Sequence, residues 1–152
     1  MESLSTNISR TIQTKLVLPP DTNHLGTIFG GKVLSYIDEI AAIAAMKHSN
    51  KVVVTASIDK VNFLSSARVG DILTLEGFVI ATGRTSMDVY VKVECEHFKT
   101  REKSLTTTSF LTMVAIDEHG KPAPVPAVIP ETENERELYQ QARKRRSQLM
   151  KG

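Results

Sequence analysis

The sequence predicts a single α+β domain: an antiparallel sheet, one long helix in the first half of the chain and a second helix at its C-terminal end. Three observations carry this. Apolar residues recur at helical spacing from Lys32 to His48, β segments follow one another after Asn50, and Thr132 with Glu135 three residues on opens a last helical stretch. At 152 residues, 41% hydrophobic and 24% charged, the chain has the size of one domain and enough apolar material to bury a core.

Ile8 to Leu18 is rich in Thr, Ile and Val and stops at Pro19-Pro20, which reads as a strand followed by a break. Asp21 to Gly31 has little periodicity and reads as an irregular segment that opens the helix. In the helix, Val33, Leu34, Ile37, Ile40, Ala41, Ala44 and Ala45 form an apolar stripe. Asp38 falls at the edge of that stripe and Glu39 on a more polar face. The alanines imply a close neighbour, because small side chains let a sheet approach the helix axis.

Met87 to Glu96 alternates without a slip, apolar at odd positions and mostly charged at even ones, as expected for a sheet with one face on a core and one in water. Cys95 falls on the inner face. Val52 to Phe63, Ile72 to Ala81 and Leu105 to Ile116 complete the run of strands, with turns at Val69-Gly70-Asp71, Gly83-Arg84 and His119-Gly120-Lys121. Lys121 to Pro130 holds four prolines and reads as an extended connector. The helix that follows carries a capping box, acidic first turns and basic last turns, an arrangement that suits its dipole. Its basic run, Arg143-Lys144-Arg145-Arg146, is therefore expected to be a solvated helix end rather than a nucleic-acid patch.

A net charge of +2 disfavours a general polyanion binder, so no nucleic-acid partner is expected. Cys95 is the sole cysteine, which rules out an intrachain disulfide and a Cys-based zinc site and fits a reducing compartment. The start of the sequence shows neither a basic segment nor an apolar one, and no apolar run approaches the roughly 20 residues of a membrane span. The expectation is a cytoplasmic protein with no membrane partner.

Gly26-Thr27-Ile28-Phe29-Gly30-Gly31-Lys32-Val33 comes within one residue of a phosphate loop, but Val33 has no hydroxyl for a magnesium ion and no strand feeds the segment. What survives is physical. Glycines at a helix start expose backbone N–H groups to a negative charge, a phosphate or an oxyanion, although they also serve simply to let a helix lie against a sheet. The four histidines show no metal-ligand spacing, and His24 alone lies beside the glycine segment. There is no G-x-S-x-G nucleophile motif. Asp38, at the margin of an apolar face, is expected to be partly desolvated and so favoured as a base, or else to be held by hydrogen bonds at an interface.

Asn23-His24-Leu25-Gly26-Thr27-Ile28-Phe29-Gly30-Gly31, followed by Leu34-Ser35-Tyr36-Ile37-Asp38-Glu39, resembles the hotdog-fold acyl-CoA thioesterases, in the branch of bacterial broad-range and brain-type cytosolic acyl-CoA hydrolases. Further matches follow in order: Val54-Thr55-Ala56-Ser57, Val61-Asn62-Phe63, Val69-Gly70-Asp71, Gly83-Arg84-Thr85-Ser86-Met87, Val125-Pro126 and Pro130-Glu131-Thr132-Glu133. The resemblance implies a hotdog domain over residues 1–130, a sheet wrapped around its central helix, with residues 131–152 as a C-terminal helix packed on or flanking it.

It also implies hydrolysis of acyl-CoA to free acid and coenzyme A, with coenzyme A as part of the substrate and no metal or other cofactor. The catalytic carboxylate falls on Asp38, acting as general base or as a nucleophile that forms a mixed anhydride. Asn23 positions water or thioester, and N–H groups at Gly30 or Gly31 face the carbonyl oxygen. Arg84, Thr85 and Ser86 match a segment near the coenzyme A phosphates; Asn62, Phe63 and His24 complete the expected substrate contacts. Members of the family share each site between two subunits, so Asn23 of one chain is expected to meet Asp38 of another in a homodimer, assembled further as a trimer of dimers. A non-catalytic acyl-CoA-binding regulator is the alternative, against which Asp38 and Asn23 argue.

Overall fold

A computed structural model describes residues 1–151, with side chains through Gln148. Gly152, the last residue of the expected helical segment, lies outside the described residues. The elements are β1 (Leu4–Ser5), α1 (Thr6–Ser9), β2 (Thr11–Leu16), α2 (Gly30–Ser49), β3 (Val52–Phe63), β4 (Ile72–Thr82), β5 (Ser86–Glu96), β6 (Lys103–Ile116), β7 (Val128–Ile129) and α3 (Glu133–Lys151). Five strands form one antiparallel sheet in the order β2-β4-β5-β6-β3, and β1 pairs with β7 in a separate parallel ribbon. Among the described residues, no helix is long and apolar enough to cross a membrane.

The inner face of the sheet curls around α2. Ile37, Ile40, Ala41, Ala44 and Ala45 are fully buried against Leu73, Leu75, Val91, Val93, Leu111 and Met113. Each isoleucine removed from water in this way contributes about 1.5–3 kcal/mol. Gly77 on β4 gives the closeness that the alanines foretell: a Cβ there would stand 3.5 Å from Ile40. The helix begins at Gly30, three residues before Val33, the first apolar position, and is capped by Asn50, whose left-handed φ of 57° closes the last turn through its N–H on the Met46 carbonyl.

Three expectations are corrected. The strand expected over Ile8 to Leu18 is shorter and is preceded by the helical turn α1, because Ser5 caps that turn and the Ser9 hydroxyl bonds back to the Thr6 carbonyl. The expected wet face of the sheet is in large part covered. Phe78, Ile80, Ala81 and Phe110 form a second apolar cluster with Leu138 and Ala142 of α3. The basic run is not simply a solvated helix end: Arg145 is 2% exposed, and Arg146 pairs with Asp88, itself 0% exposed on β5. The capping box forms as expected, with Glu135 N–H on Thr132 Oγ1 at 3.1 Å and Thr132 N–H on Glu135 Oε1 at 3.3 Å.

Candidate active site

The segment before α2 is built on Asn23. Its Oδ1 accepts from the Leu25 N–H at 2.9 Å, the Thr27 N–H at 3.3 Å and the Thr27 hydroxyl at 3.2 Å. Gly26 turns the chain at φ +79°, and its N–H reaches the Asn23 carbonyl. Because the side-chain oxygen is spent on the loop, the end that Asn23 has left to offer is the Nδ2 amide, a donor.

Phe29 precedes the first turn of α2 without a side-chain cap, and its carbonyl accepts from Lys32 and Val33. Among the described residues the N–H groups of Gly30 and Gly31 meet no acceptor. They are two of the orphan donors at a helix start, where the helix dipole adds partial positive charge. The Phe63 ring, at the end of β3, lies 3.5 Å from where a Gly30 Cβ would be and walls one side of this helix end. Asn62 donates to the Lys60 carbonyl at 3.2 Å just after a bulge in β3. His24 is exposed on the loop.

Asp38 sits two turns further along α2, half-buried, as the apolar stripe predicts, whereas Glu39 is exposed and pairs with Lys15. Thr55 of β3 donates its hydroxyl to Asp38 Oδ1 at 2.6 Å. That bond fixes the carboxylate and leaves Oδ2 without a partner among the described residues. Nothing in the sequence alone singles out Thr55. Its signal was present in the Val54-Thr55-Ala56-Ser57 match, but only the register of helix on sheet reveals which hydroxyl of that segment reaches Asp38.

The site residues on and around α2 therefore fall into two groups, with Thr55 joining the expected Asp38. Asn23, Gly30, Gly31 and Phe63 gather at the start of α2, with His24 exposed on the same loop and Asn62 next to Phe63 on β3. Asp38 and Thr55 stand about 12 Å away along the helix axis, at 1.5 Å per residue from Gly30. At the same level of the sheet as Thr55, Met113 and Met87 continue the row toward the turn that joins β4 to β5. Arg84 and Thr85 are at the tip of that turn, with Arg84 exposed, and the Ser86 hydroxyl accepts from Arg146 Nη2 at 2.9 Å.

Residues 25–100 match the thioesterase superfamily. A Bacillus subtilis protein named as an uncharacterised acyl-CoA thioester hydrolase is 49% identical over 93% of this chain and 88% of its own. The chain belongs to the thioesterase superfamily. Its structural likeness to solved thioesterases is close. An apo hexameric acyl-CoA thioesterase superposes with a TM-score of 0.97 at 66% identity, covering 99% of this chain and 97% of that one. The Staphylococcus aureus acyl-CoA hydrolase, solved with butyryl coenzyme A, coenzyme A and coenzyme A disulfide, gives 0.88 at 40% identity over 97% of this chain and 92% of that one. Further structures of that thioesterase carry an Asn, an Asp or a Thr replaced by Ala, at positions spaced along it as Asn23, Asp38 and Thr55 are along this chain.

Proposed function

We propose that this protein hydrolyses acyl-CoA thioesters to the free acid and coenzyme A, at sites shared between two subunits. The observation that carries the reading is the separation of the two groups. A reacting carbonyl must lie about 3 Å from both its oxyanion donors and the attacking water. The start of α2 and Asp38 of one chain, about 12 Å apart, cannot serve one carbonyl. Asn23 and the Gly30–Gly31 N–H groups of one subunit instead face Asp38 and Thr55 of another. The edge of β3 supports this pairing, since among the described residues its outer side is unpaired and exposes Val52 and Val54 beside Thr55.

The chemistry follows from these groups. Water bound to Asp38 Oδ2 gives up a proton to the carboxylate as its oxygen attacks the thioester carbon. The carbonyl electrons move to oxygen, where the free N–H of Gly30 or Gly31 and the Nδ2 amide of Asn23 meet the charge. One such donor lowers the barrier by about 3 kcal/mol. Collapse of the tetrahedral species breaks the C–S bond, and the proton held by Asp38 passes to the departing coenzyme A sulfur. Thr55 keeps the carboxylate oriented throughout. In this reading no metal or redox cofactor enters these steps, and the protein works in the cytoplasm as a dimer assembled into a trimer of dimers.

Arg84 on its exposed turn is assigned to the coenzyme A phosphates, which its planar fork of donors suits. Thiol release from a panel of acyl-CoA esters, from acetyl to palmitoyl, tests the reading. Turnover of at least one chain-length class is expected. Tight acyl-CoA binding with no thiol release across the panel would instead identify a non-catalytic binder.

A further inference from the structure

Arg145 and Arg146 sit in the last described turns of α3, yet both side chains run inward to the sheet. Arg145 donates from Nε to Asp59 Oδ1 at 2.5 Å, from Nη1 to Asp88 Oδ1 at 3.1 Å and from Nη2 to Thr112 Oγ1 at 2.8 Å. Arg146 donates from Nε to Asp88 Oδ2 at 2.5 Å and from Nη2 to Ser86 Oγ at 2.9 Å. Asp88 is thus a buried carboxylate gripped by both guanidinium groups, and charge-assisted contacts of this kind are strong and directional.

The Arg146 contact falls on the turn that presents Arg84. Gly83 N–H bonds the Ser86 carbonyl at 2.9 Å to close that turn. A Cβ on Gly83 would stand 2.7 Å from Arg146 Nη1 and 2.8 Å from Ser86 Oγ, so guanidinium, hydroxyl and turn backbone are packed without spare room. From the other side, the Arg84 carbonyl accepts from Val125 N–H and the Thr85 carbonyl from Ala115 N–H. The backbone of the turn is held on all sides while the Arg84 side chain projects free.

We infer that Arg146, anchored through Asp88 by Arg145, is a positioning residue for coenzyme A recognition: the end of α3 sets the Gly83–Ser86 turn so that Arg84 reaches the phosphates. This rests on the acyl-CoA reading above. A turn loosened at Ser86 lets the Arg84 guanidinium sample many directions, and its phosphate contact weakens while the reacting carbonyl, elsewhere, is unaffected. Ser86, expected to touch substrate, then acts through Arg146 and the turn.

The test measures kcat and KM for one acyl-CoA and for the N-acetylcysteamine thioester of the same acid, which lacks the nucleotide. Arg146→Gln is preferred to changes at Arg145 because Asp88 keeps its Arg145 partner, and thermal unfolding verifies that the variant is folded. Arg146→Gln is expected to raise KM for the acyl-CoA about tenfold with kcat little changed, and to leave the short thioester alone. Gly83→Ala, which drives a methyl into the same contact, should shift KM in the same direction. Arg146→Lys, which keeps the charge but loses the fork, should fall between.

The Arg84→Ala, Arg146→Gln double variant should be no worse than Arg84→Ala alone, because one residue acts through the other. Additive losses, equal losses on both substrates, or no change in any Arg146 variant would overturn the inference. If Arg84→Ala itself leaves acyl-CoA KM unchanged, the phosphate assignment falls and the positioning role with it. If Arg84→Ala raises KM and Arg146→Gln does not, only the positioning role falls.

Discussion

The two long helices lie on opposite faces of one sheet and are held there by different forces. α2 presents isoleucines and alanines to the inner face, and its contacts are apolar over nearly its whole length. α3 begins its contact with Leu138 and Ala142 but ends it with Arg145 and Arg146 on Asp59 and Asp88. Apolar packing is non-directional and tolerates local repacking, whereas a buried ion pair demands its partner and a defined geometry. The helix fixed by apolar contact carries Asp38 and the free N–H groups. The helix fixed by charge reaches the turn that carries Arg84. On the proposed reading, reaction and substrate recognition are thus supported by separate interactions.

The largest expected effect is on the α2 side. Asp38→Asn keeps shape and hydrogen-bonding length but cannot take a proton from water, and steady-state turnover of acyl-CoA should fall by about 10² to 10⁴ with the fold unchanged. Glu39→Gln, on the exposed face beside Lys15, should leave turnover within a factor of two or so of the parent, roughly the scatter expected for a surface change.

Stability distinguishes the helices next. Chemical denaturation of Arg145→Leu should show a loss toward the lower end of about 3–5 kcal/mol, because Asp88, 0% exposed, is left with one guanidinium instead of two. Adding Asp88→Leu should recover most of it. Ile40→Ala under α2 should lose a similar amount, about 2–5 kcal/mol, through the cavity it leaves, with no single partner change able to restore it. If the Arg145→Leu loss were not recovered in the double variant, the contact of α3 would resemble that of α2 and the contrast between the helices would break.

The smallest effect is in pH dependence. His48, near the end of α2, is buried with Nε2–H on the Pro126 carbonyl at 2.7 Å and Nδ1 without a partner among the described residues. Burial lowers its pKa below 6.5, against a smaller upward pull from the Pro126 bond. The unfolded chain therefore takes up the proton first as pH falls. Its contribution to stability is complete above about pH 6.5 and declines below it, no more steeply than about 1.4 kcal/mol per pH unit.

Glu135, near the start of α3, behaves otherwise. Burial pushes its carboxyl up, but bonds from the Glu131 and Thr132 N–H groups and the Thr6 hydroxyl, with Arg10 beside it, hold it below 4.5. Its contribution is complete above about pH 4.5 and is lost as pH falls through the lower folded value. Urea titrations between about pH 8 and pH 3 should show His48→Gln flattening the decline that begins below about pH 6.5 and Glu135→Gln only the decline below about pH 4.5.

The α2 side was legible from sequence because its signals are local. The stripe from Val33 to Ala45 and the alternation from Met87 to Glu96 state which residues face the core, and the edge position of Asp38 follows from the same spacing. The α3 side was not. Alternation puts Asp88 among residues facing away from the core, and nothing near it in sequence reveals that Arg145, 57 residues later, will cover it. The four-residue helix α1 and the two-residue strands β1 and β7 were missed because elements so short carry no period. The lack of periodicity from Asp21 to Gly31 marks the Asn23 loop as irregular, but the use of its side-chain oxygen within the loop belongs to three dimensions alone.

The central claim is that the start of α2 in one subunit and Asp38 in another form one site. Mixing inactive Asn23→Ala and Asp38→Asn chains, with subunit exchange verified by mass, tests it directly by thiol release. In a dimer of one chain of each kind, one of the two shared sites carries both lesions and the other carries neither. Random equal mixing should then restore about a quarter of the parent activity, as two-fold symmetric sharing requires. Mixed oligomers no more active than either variant alone would contradict the shared site and place both residues at work within a single chain.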